Sequence, residues 1–128
     1  VKMALMPGAG GAFVLPRIVG RARALEMLWT GDFIDSEEAE RIGLINKALP
    51  DEELMAHAHA MARRLADGPV QSIRSIKRAV RAGQNSDLAT SLDYGALNYG
   101  VLASGEDHHE AVDAFLEKRA PDFKGGGS

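Results

Sequence analysis

Pro7-Gly8-Ala9-Gly10-Gly11 is the stretch on which the reading of this chain turns. An apolar run, Val1 to Met6, leads into it. Phe13-Val14-Leu15-Pro16-Arg17-Ile18-Val19 follows in a helix-like pattern, closed by Gly20. Four small residues in a row leave the backbone bare, and glycine tolerates dihedrals that other residues do not. A turn that opens a helix also presents unpaired N–H groups and the positive end of the helix dipole. Chemically this is a place to hold an oxygen atom or an anion. The glycines do not complete a dinucleotide fingerprint, because Phe13 stands where the third glycine belongs. No Lys-Ser/Thr pair follows, which excludes a phosphate-binding P-loop. A tight turn packed against its neighbours is the alternative, and the five residues alone leave both open.

Outward from the turn, the pattern predicts mostly helices. Val1 to Met6 reads as a short strand or extended segment. A first helix is expected over about Gly11 to Val19, limited or kinked by Pro16, with Gly20 as its stop. A second, about Arg21 to Trp29, carries Leu25, Leu28 and Trp29 on one side and ends at Gly31. Asp35 caps a third, with Glu38 completing a box-like start and Gly43 ending it. Leu44 to Leu49 alternates and is short, which predicts a strand closed by Pro50. Asp51 opens a long helix to about Asp67, with Leu54, Ala58, Met61 and Leu65 on one face. Gly68-Pro69 breaks it. The next, about Val70 to Ala82, is expected to bury Ile73, Ile76 and Val80. Ser86 is the expected cap of a helix over about Asp87 to Ala103. That helix has two apolar stripes, Leu88-Leu92-Tyr99 and Tyr94-Leu97-Val101, with Gly95 and Gly100 inside it. This suits a subunit interface or a well-buried core helix. A last helix, about Glu106 to Arg119, is expected to bury Val112, Phe115 and Leu116.

The totals set bounds. With 128 residues, 45% of them hydrophobic, the chain suffices for one domain. Few aromatics and many alanines favour helix over strand. Fifteen basic against eighteen acidic residues give a net charge of −3, which argues against a general nucleic-acid binder. The absence of cysteine rules out disulfides and thiolate metal sites. No apolar run of about 18 residues exists, so no membrane span is expected, and no signal peptide is visible. His57 and His59 fall on different faces of a helix, and His108 and His109 are neighbours. Neither pair has the i, i+4 spacing of a helical zinc chelate, so no metal site is expected. Arg74, Lys77, Arg78 and Arg81 form a basic stripe that reads as a solvated helix face. The carboxylates Asp35/Glu38 and Glu52/Glu53 sit at helix starts, where dipole and capping explain them.

A longer series of motifs surrounds the glycine turn. Leu15-Pro16-Arg17-Ile18-Val19-Gly20, Ala22-Arg23-Ala24-Leu25-Glu26 and Thr30-Gly31-Asp32 follow it in order. Then come Glu38-Ala39, Gly43-Leu44-Ile45-Asn46, Pro50-Asp51-Glu52-Glu53-Leu54 and Ala114-Phe115-Leu116-Glu117-Lys118-Arg119. Together they resemble the enoyl-CoA hydratase/isomerase (crotonase) family, specifically its C-terminal half. The resemblance implies a mainly α chain as given. It would be the C-terminal part of an α/β crotonase-type fold, a β-β-α superhelix, plus a helical trimerisation region. Residues 1–68 would end the core, 69–123 would form the trimerisation and CoA-contact region, and 124–128 a flexible tail.

The implied chemistry is addition of water to the double bond of a 2-enoyl-CoA thioester. Double-bond isomerisation and a non-catalytic helical oligomerisation module are the alternatives. Family members hold the thioester oxygen with two backbone N–H groups as it becomes enolate-like. Two glutamates activate the water. The resemblance puts all four groups upstream of Val1, so the chain alone is expected to be inactive. Within it, Gly8 matches the glycine whose N–H helps to position the catalytic water. Phe115 and Lys118 match residues that contact the adenine region and phosphates of CoA, sharing a helix face at i and i+3. Ala12-Phe13-Val14 replaces the family's usual Thr-Gln-Arg. No cofactor is implied beyond the CoA of the substrate. A homo-oligomer, trimer or dimer of trimers, in the cytoplasm is expected, with no nucleic-acid or membrane partner.

Overall fold

Alanine-rich segments punctuated by glycine and proline favour helices, and helices are what form. The computed structural model describes residues 1–123. Its elements are α1 (Gly11–Val19), α2 (Arg21–Thr30), α3 (Ser36–Arg41), α4 (Asp51–Ala66), α5 (Val70–Gly83), α6 (Leu88–Ala103) and α7 (Glu106–Glu117). No strand occurs among the described residues. The expected tail, 124–128, lies outside them. No helix among them is long and apolar enough to cross a membrane. The chain divides into two compact units, Val1–Leu54 and the residues from Met55 onward.

In the first unit, α1 packs on α2. Gly20 links them at φ 80°, and Gly31 ends α2 at φ 64° with its N–H on the Met27 carbonyl. Pro16 lies inside α1 without ending it. Asp35 caps α3 by accepting the Glu38 N–H at 2.8 Å. The box is only half made, because the Glu38 carboxylate turns to Arg41 instead. Gly43 (φ 76°) completes the end of α3. The Leu44 N–H reaches the Ala39 carbonyl and the Gly43 N–H the Glu40 carbonyl, the double bond pattern of a Schellman ending.

Both expected strands fail for one reason. A strand needs a neighbour to complete its ladder, and the described residues supply none. Val1 to Ala4 instead closes a turn, with the Ala4 N–H on the Val1 carbonyl at 2.8 Å. Lys2 pairs with Asp32 at 3.1 Å. The stretch Leu44 to Leu49 follows the Schellman turn, and its Ala48 N–H goes to the Glu40 carboxylate at 2.7 Å.

In the second unit α5 packs on α6 and α6 on α7. The cap of α6 is Asp87 rather than Ser86. Its carboxylate accepts both the N–H and the hydroxyl of Thr90, while Ser86 pairs with Ser91. The last helix stops at Glu117, short of the expected Arg119.

The core is small. Among the described residues only Ala24, Ala39 and Ala114 count as buried hydrophobics. The periodicity places the apolar faces correctly, but little covers them. Trp29 is 69% exposed, Ile76 63%, Leu97 73% and Phe115 82%. Val80, Val112 and Leu116, also expected inside, are exposed. Amphipathic spacing says which side of a helix is apolar; it does not say that the partner lies in the same stretch of chain.

Candidate functional site

At the glycine turn the chain reverses over Gly8 to Gly11, with the Gly11 N–H on the Gly8 carbonyl at 3.0 Å. Both central residues have positive φ, 51° at Ala9 and 81° at Gly10, the pattern of a type I′ turn. Alanine in this region is strained by roughly 1–2 kcal/mol. A Cβ at Gly11 would sit 3.2 Å from the Pro7 side chain, so the turn is also tight. Gly10 then heads α1 with no side-chain cap and no acid in its first turn. The Gly8 N–H has no acceptor among the described residues, and Gly8 is exposed. This is an uncompensated cluster of N–H donors at the positive end of a helix, suited to a water or an oxyanion.

Next to it, the Arg17 guanidinium stacks 3.4 Å from the centroid of the Phe13 ring and donates to the Phe13 carbonyl at 2.8 Å. The departure Ala12-Phe13-Val14 therefore carries a fixed cation–π pair at the head of α1.

The other two predicted residues lie in the second unit. Phe115 is in the last turn of α7, and Lys118 caps its end at φ 55° and ψ 37°. The shared helix face expected of them does not form, because Lys118 has left the helix. It occupies the left-handed position of a Schellman ending, normally glycine's. Its N–H goes to the Phe115 carbonyl at 3.3 Å, and the Arg119 N–H goes to the Ala114 carbonyl at 3.0 Å.

A network of ion pairs lies just beyond Lys118. Arg119 is forked onto Glu110, at 2.5 Å and 3.0 Å, and its Nε meets Glu117 at 2.6 Å. Glu110 Oε1 also accepts the Asp122 N–H at 2.7 Å. The Glu110 carboxylate, followed by that of Glu117, pushes the Arg119 pKa further up. This hook escaped the sequence reading. Glu110 and Arg119 are nine apart across a helix end, and no periodic template joins them.

Among the described residues no three metal-ligating side chains gather. Arg74, Lys77, Arg78 and Arg81 are exposed. A cleft of about 720 Å³ opens in the second unit, lined in part by Ser72, Arg78, Asn98, Tyr99, Asp107 and His108. None of Gly8, Phe115 and Lys118 lines it.

The sequence profile of the Enoyl-CoA hydratase/isomerase family matches residues 1–126. A probable enoyl-CoA hydratase of Rhodobacter capsulatus is 44% identical over 124 residues, 97% of this chain and 48% of that protein. The 1,2-epoxyphenylacetyl-CoA isomerase of Escherichia coli is 36% identical over 124 residues, 97% of this chain and 47% of that protein. The crystal structure of an enoyl-CoA hydratase from Geobacillus kaustophilus superposes with a TM-score of 0.90 at 35% identity, over 97% of this chain and 47% of that one. The chain spans about half the length of the curated relatives it matches. The glycine turn, the capped helices after it and the hook at the end of α7 thus sit in a frame shared along nearly the whole chain, which belongs to the enoyl-CoA hydratase/isomerase, or crotonase, family.

Proposed function

We propose that this chain is the C-terminal half of an enoyl-CoA hydratase, which adds water across the double bond of a 2-enoyl-CoA thioester. The observation that carries the reading is the exposed Gly8 N–H, without an acceptor among the described residues, in a strained turn at the head of uncapped α1. A donor so placed serves a water held for attack. Phe115 and Lys118 contact the nucleotide end of the acyl-CoA. The groups that activate water and hold the thioester oxygen come from outside these residues. No cofactor is required beyond the CoA of the substrate, and the protein works in the cytoplasm.

Isomerisation is the second reading. It is favoured by the likeness to a relative named as an isomerase and by Ala12-Phe13-Val14 beside the turn. Crotonyl-CoA hydration, followed by loss of the enoyl absorbance, tests the first reading. The protein expressed from its complete reading frame turns over. The 128 residues alone do not, since losing even one oxyanion donor costs on the order of 10²–10³ in rate. Turnover by these residues alone, with host enzyme excluded, overturns the division of labour. Double-bond migration without hydration in the complete protein favours the isomerase.

The exposed stripes of α6 support assembly into trimers, or dimers of trimers. A Cβ at Gly95 or Gly100 would meet nothing within 4 Å, so both leave room for a close neighbour. With Leu88, Leu92, Leu97, Tyr99 and Val101 exposed, the isolated chain is expected to self-associate at micromolar concentration. Sedimentation velocity checks this, and a clean, stable monomer counts against it.

A further inference from the structure

We infer that Glu110 is a positioning residue for the nucleotide end of the acyl-CoA, acting through Arg119 to hold Lys118 in its left-handed backbone conformation. The inference rests on the proposed contact between Lys118 and CoA, and goes beyond it by naming what aims that side chain.

The argument starts from a conflict. Nothing in Phe115-Leu116-Glu117-Lys118-Arg119 stops a helix by itself, since these residues all tolerate helical geometry and no glycine is present. Pro121 restricts Ala120 and forbids helix beyond it. It does not require the break to fall at Lys118. Yet α7 ends at Glu117, and Lys118 takes φ 55°. A residue stays in such a region only when its surroundings over-determine it.

The Glu110 carboxylate does so from about two turns before the end of the helix. Its two oxygens grip the Arg119 guanidinium in a fork. One of them also takes the Asp122 N–H. Arg119 Nη1 reaches the Ala120 carbonyl as well, at 3.3 Å. The segment from Arg119 to Asp122 is thereby folded back along α7, and Lys118 is the residue that must turn for this to happen. If the fork opened, α7 could run on through Lys118. The lysine would then lie on the flank of the helix above Phe115, the i, i+3 arrangement that the sequence pattern suggests. The clamp therefore selects between two directions for one ammonium group. Nothing else about the contact to a phosphate would need to change.

The test is a double-mutant cycle on the protein expressed from its complete reading frame, read as Kd for CoA and for adenosine 3′,5′-bisphosphate by calorimetry. E110Q keeps an acceptor for the Asp122 N–H but loses the charged fork. R119K loses the fork but keeps the charge, and guards against a folding defect peculiar to one variant. Each is expected to weaken both ligands by about three- to tenfold, less than the loss in K118A, because the ammonium is misdirected rather than absent. The KM of crotonyl-pantetheine, which lacks the nucleotide, should not move. In a K118A background E110Q should cost nothing further, since the residue through which it acts is gone. Additive losses in the double variant, or equal losses on the pantetheine ester, make Glu110 a structural residue and overturn the inference. So does full affinity in both E110Q and R119K when K118A is weakened. If K118A itself binds CoA normally, the Lys118 reading fails first and the clamp falls with it.

Discussion

The glycine turn and the lysine hook solve the same backbone problem in opposite ways. Both put residues at positive φ beside a helix end: Ala9 and Gly10 before α1, Lys118 after α7. The turn is built from small residues: Gly10 reaches this region at little cost, and Ala9 carries the strain. What it offers is bare N–H groups, so side chains would only obstruct it. The hook places a lysine, not a glycine, at its left-handed position, and the Glu110–Arg119 fork lies directly beside it. In the turn the local sequence encodes the shape. At the hook nothing local does, and the ion pairs reach across nine residues.

Breaking the turn should have the largest effect. Gly10→Val places a β-branched residue at φ 81°, which costs roughly 1–2 kcal/mol or more. The N–H groups of the turn then shift, and a misplacement of about 1 Å at a reacting centre can cost on the order of 10²-fold. In the complete protein kcat for crotonyl-CoA should fall by about that factor. On the proposed role of the turn at the reacting end, the fall should be equal with crotonyl-pantetheine. A variant with normal kcat on both esters would take the turn out of the catalytic site.

The hook should respond differently, and two substitutions at one position divide its properties. Lys118→Ala removes the charge. A charge-assisted contact to phosphate is worth roughly 1.5–3 kcal/mol. KM for crotonyl-CoA should therefore rise about ten- to a hundredfold, with kcat little changed. Lys118→Gly should raise KM as much, yet stabilise the fold by about 0.5–1 kcal/mol, because glycine relieves the left-handed strain. A loss of stability in K118G, measured by denaturant unfolding, would mean that the hook is not strained. An unchanged KM in both variants would remove Lys118 from the CoA contact and reduce it to a helix-end cation.

The same contrast explains what could be read in advance. The limits of α1, the Asp35 cap and the glycine stops at Gly20, Gly31 and Gly43 were legible, because each is decided within a few residues. The apolar stripes of α4 to α6 were legible as stripes, since periodicity is local. Their exposure was not, because periodicity marks the apolar side of a helix and says nothing about what covers it. Val1 to Met6 and Leu44 to Leu49 failed as strands on the same ground. The cap of α6 was misplaced by one residue, as Ser86 and Asp87 are both good caps and only the Thr90 contacts decide between them. At the candidate site, the position of Gly8 was readable and the strain at Ala9 was not. Phe115 and Lys118 were named through resemblance alone, and the helix face expected of them does not form, because α7 ends at Glu117 and a nine-residue ion pair leaves no signature in a helical pattern.

That cap supplies the smallest expected effect and the one with the clearest sign. Asp87 accepts the Thr90 N–H and hydroxyl, and these bonds, the backbone one first, hold its carboxyl below the usual 3.8. The folded state therefore favours the charged form more than the unfolded chain does. On lowering the pH the unfolded chain takes up the proton first, so acid drives unfolding. The contribution of the cap is fully present above 3.8 and is lost as the pH falls through the lower folded value. Glu38 has the same sign, chiefly through its hydrogen bonds from Arg41, but starts from 4.5 and lies in the other unit. Asp87→Asn keeps an acceptor for the Thr90 N–H and abolishes the titration. At neutral pH it should lower the thermal midpoint by on the order of a degree or two. The gap to the unmodified protein should close as the pH passes below 3.8. In Glu38→Gln the gap should begin to close nearer 4.5. Circular dichroism melts of the complete protein across that range separate the two. A gap for D87N that stays constant with pH would show that the cap works through its oxygen alone, and that the charge at the head of α6 contributes nothing.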